Sequence, residues 1–398
     1  MLRALRRNKL GATLIGLQIA LTLAIVSNSL FIIRQYVEHM QVPTGIDEAN
    51  TFTFSNAWVV AQDDSEPRIK ADLAALRALP GVIDAQAMDT YPLSGYGWGV
   101  GLKVQRGQKY SSAGANRYYT DEHGLSALGL HLIAGRWFTA QEVHGIRLND
   151  TYAAFATVLI VTRHLANQLF PAGDALGQIV YFTPQNPARI VGIVERVQTP
   201  YVGYHDDNSS FEPVQYLDNQ LFYIVRTRPG EQAQVMRAAP QKLYELTRQR
   251  VIQDLRPFSA IRSQAFQEER VNTVMLAAVC GLLLAVTAFG VIGLTLYWVA
   301  QRRRQIGMRR ALGARRIDIL LYFQTENLLI AGCGCILGIA LGLPLNAWLL
   351  MRVEGLTRMN PAYICAEALL VLGLCQLAVL WPALRAAAVA PAIATRAL

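Results

Sequence analysis

Four long apolar runs divide the chain. Residues 10–33, LGATLIGLQIALTLAIVSNSLFII, carry no charge, and neither do 271–300 or 327–351. A fourth run, 363–384, carries only Glu367. At about 1.5 Å per residue, each can cross a hydrocarbon core of about 30 Å. The pattern predicts four membrane helices over about 10–33, 271–300, 320–351 and 363–384, the third extended back through Glu326. The first run is longer than the apolar part of a signal peptide, and no small-x-small cleavage site follows it cleanly. An uncleaved first span is therefore expected.

Between the first two runs, residues 34–270 show short-period patterning and no span. Thr51 to Val60 reads as a strand. Arg68 to Leu79 reads as a helix with Ile69, Leu73, Leu76 and Leu79 on one face, stopped by Pro80-Gly81. Val82 to Met88 reads as a strand. The unit recurs as strand Leu221–Thr227, helix about 231–249 and strand Val251–Leu255, with Pro240 expected to kink or divide the helix. Two such units flanking a stretch rich in Gly, Tyr and short strands, about 90–215, predict one α+β subdomain assembled from both ends.

Composition and charge support this division. The 398 residues are 53% apolar, too many for an ordinary soluble enzyme. The net charge of +9 is unevenly placed. Arg3, Arg6, Arg7 and Lys9 precede the first span. Seven arginines lie in 301–316, QRRRQIGMRRALGARR, and Arg385 and Arg396 follow the last span. With Asp318 the only acid beside them, these regions hold +12 and the remainder −3. Basic residues beside spans stay cytoplasmic by the positive-inside rule. Both ends and 301–316 are expected inside, and 34–270 outside. The basicity marks topology and gives no footprint for nucleic acid. Cys280, Cys333, Cys335, Cys365 and Cys375 all fall in or beside spans, so no disulfide is expected in the outer domain.

The arginine-rich stretch holds apolar residues at Ile306, Met308, Ala311, Leu312 and Ala314, which predicts a short amphipathic helix against the membrane surface or a partner. Its sequence, Ile306-Gly307-Met308-Arg309-Arg310-Ala311-Leu312-Gly313-Ala314, resembles the "R-E-I-G-(I/L)-R-x-A-(L/V)-G-A" motif of ABC-transporter permeases of the MacB/FtsX superfamily. In 90–215, GLSALGLHLIAGRWFT (124–139), the run from His164 through Phe170-Pro171 to Gly177, and Ala188 to Val194 resemble the periplasmic core of MacB-type members in order. The tail from Trp381 resembles the same family. The resemblance covers nearly the whole chain.

The resemblance implies a membrane α-helical fold of four transmembrane helices, with a large α+β extracytoplasmic domain between helices 1 and 2. The expected division is 1–33, an outer core domain 34–270, and an FtsX-like permease domain 271–398 with coupling loop 301–316. Within the core, Porter-like parts would cover 47–90 and 216–265, and a Sabre-like insertion 91–215. Ile306, Gly307, Met308, Arg309, Ala311, Leu312, Gly313 and Ala314 would then couple to an ATP-binding subunit. Met308 and Leu312 would form an apolar plug, and Arg302 and Arg303 would contact headgroups. Gln301 and Gln305 depart from the family's acids. The implied function is transmission of ATP-driven movement to the periplasmic side, driving efflux of a drug, peptide or other periplasmic substrate. A LolC/LolE-like extractor of lipoproteins or an FtsX-like regulator of a periplasmic enzyme are the alternatives. Implied partners are two ATP-binding subunits, a second permease, membrane lipid, and a periplasmic adaptor with an outer-membrane channel. The implied location is the bacterial inner membrane.

Other chemistry finds little support. No G-x-x-x-x-G-K-[ST] occurs, so ATP and Mg²⁺ would be held by the partner subunit and no cofactor by this chain. His39, His123, His131, His144, His164 and His205 show no H-E-x-x-H, and no zinc-ligand spacing with cysteine. Ser94 lacks a nucleophile elbow. Asp63, Asp64, Asp206 and Asp207 read as solvated loop acids. Gly334, Gly338 and Gly342 repeat every four residues and mark a face where another helix approaches closely. Glu326, at the start of the third span, is expected either to pair with a loop arginine or to reach the headgroups.

Overall fold

The computed structural model describes residues 9–59, 65–147, 155–202, 207–352 and 357–387. Arg3, Arg6, Arg7, Asp63, Asp64, His205, Asp206 and the tail beyond 387 with Arg396 lie outside the described residues. Two compact units are present. One is Gln41–Gln267, and the other joins the residues up to Met40 with those from Glu268 onward.

Helix α1 (Lys9–Met40) opens the chain. It continues past the apolar run because its last turns are held by other means, including the i,i+4 pair of Arg34 with Glu38 at 2.7 Å.

In the unit 41–267, β1 (Thr51–Trp58), α2 (Ser65–Arg77) and β2 (Val82–Met88) come first. The chain then runs through β3 (Trp98–Leu102), β4 (Ala113–Thr120), α3 (Gly124–Leu128), β5 (Leu132–Gly135), β6 (His144–Ile146), β7 (Val158–Thr162), α4 (Arg163–Leu169), β8 (Ile179–Thr183), β9 (Asn186–Val194) and β10 (Ser209–Tyr216). It closes with β11 (Gln220–Thr227), α5 (Gln232–Leu246), β12 (Arg250–Pro257) and α6 (Phe258–Ala265).

Strands from the two flanks form one four-stranded antiparallel sheet in the order β12-β1-β11-β2. Ile69, Leu73 and Leu76 of α2 recur at helix spacing and are buried with Val235, Ala239 and Leu243 of α5 against Phe52, Phe54 and Tyr223 of the sheet. The expected division of this second helix at Pro240 is not seen. α5 is one helix with Pro240 inside, and its buried face on both sides of the proline holds the halves in line. A buried ion pair ties the layers together. Arg250 donates two 2.8 Å hydrogen bonds to the Asp72 carboxylate, which also accepts one from the Tyr223 hydroxyl.

The segment between the flanks forms an eight-stranded mixed sheet in the order β3-β4-β10-β7-β9-β5, with β6 on β10 and β8 on β9. Strands β4 and β10 are parallel, as are β7 and β9. Leu159 and Val161 alternate toward a core shared with Leu165 and Leu169 of α4. Arg117 and Glu212 pair across the parallel strands through two 2.7 Å bonds, in full burial at Glu212. The two family-like glycine motifs meet here. Gly135 has φ +76°, and a side chain on it would strike the Val191 carbonyl; a side chain on Gly192 would strike that of Arg136. Only glycine lets β5 and β9 approach this closely.

The other unit holds α1 with α7 (Gln267–Gln301), α8 (Arg303–Ala311), α9 (Arg316–Leu350) and α10 (Pro361–Ala387). Helices α1, α7, α9 and α10 are each long and apolar enough to cross a membrane. Polar side chains inside the bundle join helix to helix. The Thr22 and Thr287 hydroxyls lie 2.8 Å apart, and the Asn327 amide donates to the Cys375 carbonyl at 3.2 Å. Such bonds are favoured where no water competes.

Candidate functional site

The arginine-rich stretch folds into α8 and a turn that leads into α9. The backbone barely breaks at Arg302. Its N–H donates to the Trp298 carbonyl at 3.0 Å, and its carbonyl accepts from Ile306 at 2.9 Å. Gly313 ends α8 with φ +101°, a conformation that glycine alone adopts cheaply. The Ala314 N–H bonds back to the Arg309 carbonyl at 3.0 Å across this turn. Asp318 then caps α9, accepting from the Arg315 N–H at 2.8 Å.

The predicted coupling residues fall on different sides. Ile306 and Gly307 are buried, and Ile306 packs in one core with Ile319 and Phe323 of α9. Ala314 is half-buried. Met308, Arg309, Ala311, Leu312 and Gly313 are exposed, with Met308 at 57% and Leu312 at 88%. Leu312 directly follows α8, and its N–H donates to the Met308 carbonyl at 3.0 Å, so the helical spacing continues and the two share a face. The stretch thus has an inner apolar contact with its own chain at Ile306 and an outer, exposed apolar pair.

Glu326 lies against Arg302. The guanidinium donates to both carboxylate oxygens, at 2.7 and 3.1 Å, and also to the Tyr322 hydroxyl at 3.1 Å. It lies over the Trp298 and Tyr322 rings, while Arg309 covers Tyr322 at 5.2 Å. The expectation that Arg302 reaches the headgroups is therefore corrected. A buried carboxylate on the next helix holds the arginine inward, because an unpaired charge there would be costly. Arg303 is exposed.

The glycine face meets α1. Side-chain carbons added at Gly334 and Gly338 would lie 2.9 and 3.0 Å from the Gly16 and Ala20 carbonyl oxygens. At Gly342 the Asn28 amide donates to the backbone carbonyl at 3.1 Å. The answering surface is Gly16, Ala20 and Ala24, again every fourth residue. Sequence reasoning overlooked that repeat and Tyr322, and it assigned Arg302 to the headgroups instead of to Glu326. The i,i+4 spacing of Trp298 with Arg302 and of Tyr322 with Glu326 was the available signal.

Among the described residues no three His, Cys, Asp or Glu side chains gather as metal ligands. His123 instead bonds Asp84 at 3.0 Å and His131 lies 3.2 Å from Glu195. Asp207 pairs with Arg196 at 3.0 Å and is not a free loop acid.

Residues 11–242 match the MacB-like periplasmic core domain, and 277–391 match the FtsX-like permease C-terminal domain. The chain is 30% identical over 200 residues to the macrolide export ATP-binding/permease protein MacB of Shewanella sp. (strain W3-18-1), covering 48% of this chain and 30% of that protein. It is 28% identical over 232 residues to the protein of that name from Campylobacter jejuni (strain 81-176), covering 54% and 33%. The chain thus spans about a third of the length of these relatives. Among solved structures, the periplasmic region of MacB from Actinobacillus actinomycetemcomitans aligns with 57% of this chain and 97% of its own, at 16% identity and a TM-score of 0.34. With one family model matching more than half of the chain and a second matching most of the remainder, the protein belongs to the MacB/FtsX family of ABC-transporter permeases.

Proposed function

We propose that this chain is the membrane subunit of an ABC transporter, coupling ATP hydrolysis on a separate subunit to movement of its outer domain. One observation carries the reading: α8 presents Met308 and Leu312 outward while Ile306 fixes its other face to α9. An exposed apolar pair on a basic helix beside the membrane suits a groove on a cytoplasmic partner. ATP and Mg²⁺ would sit on that partner; these 398 residues contain no P-loop motif. Two ATP-binding subunits and a second permease, identical or related, complete the assembly, in a bacterial inner membrane with 41–267 in the periplasm. The relatives named for macrolide export favour efflux over lipoprotein extraction or enzyme regulation, and an adaptor with an outer-membrane channel would accompany efflux.

Met308→Asp tests the reading. It sets a charge in the contact at a cost on the order of a few kcal/mol if the contact is buried. Membrane insertion should be normal, because Met308 lies outside the four apolar helices and is exposed. Co-purification of the ATPase and coupled turnover should both fall sharply. Retention of both, with loss on replacing the loop arginines, would mean that α8 is only an electrostatic anchor.

A further inference from the structure

We infer that the Arg302–Glu326 pair is a mechanical joint that passes displacement of α8 to α9, with Arg302 as its positioning residue. The inference rests on the reading of α8 as the coupling helix, and adds how its movement leaves it. Arg302 sits between α7 and α8, where the helical hydrogen bonds continue but the direction of the chain can change. Its guanidinium is bound at both carboxylate oxygens of Glu326 and at the Tyr322 hydroxyl, so three bonds fix its distance and its plane together. The Trp298 and Tyr322 rings flank it. Arg302 is 15% exposed at its side chain and Glu326 6%.

A partly buried ion pair is a weak stabiliser, because desolvation offsets much of its attraction, but its geometry is strict. An apolar contact such as Ile306 on Phe323 can slide; a bidentate fork cannot without breaking. Beyond Glu326, α9 is seated on α1 through Gly334, Gly338 and Gly342, where close backbone contact leaves little room for independent motion. A push on α8 would thus travel through Arg302 to α9 and from α9 to α1, the helix that leads into the outer domain.

The experiment compares Arg302→Glu, Glu326→Arg and the double exchange in the full chain in nanodiscs. Arg302→Gln is the milder variant should a reversal fail to fold. In the chain alone, with Cys333 and Cys365 replaced by serine, a spin label at position 312 reads the attachment of α8. In the unlabelled complex with the ATPase, co-purification and the kcat and KM for ATP are measured. Each single variant should free the label. Each should lower kcat on the order of tenfold, the worth of a charge-assisted bond, with KM and co-purification unchanged. The exchange should restore all of these. Wild-type label mobility and kcat in the single variants, or an exchange that restores neither, overturns the joint. A wild-type chain that holds no ATPase overturns the parent reading instead, and the label in the chain alone still decides whether the pair fixes α8.

Discussion

At the residue scale, Asp89 has the least settled surroundings. It follows β2 where the chain crosses between the two sheets, it is 6% exposed, and neither carboxylate oxygen accepts a hydrogen bond among the described residues. Its charged neighbour is Arg117, already committed to Glu212, and the hydroxyls of Tyr96, Tyr118, Tyr119 and Tyr216 lie within its field. Burial pushes the carboxyl up to about 7, against the weaker pull of nearby backbone N–H groups and Arg117. The folded state therefore binds the proton more tightly than the unfolded chain does. Stability should fall as pH rises from about 4, the ordinary carboxyl value, to about 7, and level off above that. Asp89→Asn should remove this slope and raise the unfolding temperature at pH 8, with little change at pH 4. Thermal unfolding of both proteins from pH 4 to 8 is the check, and parallel curves would mean that the carboxyl is satisfied in solution. Nothing in the sequence around Asp89 announces this, because burial of a loop acid depends on strands far along the chain. Arg302 was misread for a related reason: charge density marks the stretch, but only the turn at Gly313 brings Glu326 back to it.

Among the elements, α9 organises the membrane unit. Its glycine repeat was legible as a packing face, since small residues every four positions leave a helix surface flat. The partner was not legible, because spacing on one helix does not say which other helix answers it. Gly338→Leu should force α1 and α9 apart, as even its Cβ would lie 2.9 Å from that of Leu23. Thermal unfolding of the full chain in nanodiscs is the check: Gly338→Leu should lower the unfolding temperature, and Gly373→Leu, where an added Cβ meets nothing within 4 Å, should not. Unfolding of the Gly338→Leu chain at the wild-type temperature would mean that the helices are held elsewhere. For α8, apolar spacing was enough to predict a helix. Its two-sided nature came only from Ile306 finding Ile319 and Phe323, which a period count cannot distinguish from Met308 and Leu312.

For the whole molecule, the spans and the outer domain could be read from hydropathy and charge, because a bilayer imposes length and sign on the chain. The order of strands in 98–216 could not, since β10 lies parallel to β4 and antiparallel to β7 and such pairings are non-local. The topology itself is testable. A periplasm-active reporter inserted at Tyr110, which is 72% exposed, should function, and one at the Gly313 turn should not; the reverse would invert the orientation. The interleaved sheet also sets a timetable. The first two strands to emerge, β1 and β2, share no hydrogen bonds, for β11 lies between them. At synthesis rates of about 5–20 residues per second, β1 waits roughly ten to thirty seconds for its first neighbour. A strand that ends up almost wholly buried, with Phe52, Phe54 and Trp58 in the core, stays without a sheet while the segment up to β10 is still arriving. The four-stranded sheet is therefore finished last, after every strand of the eight-stranded sheet has emerged, and until then its first two strands are open to chaperones, proteases and mispairing.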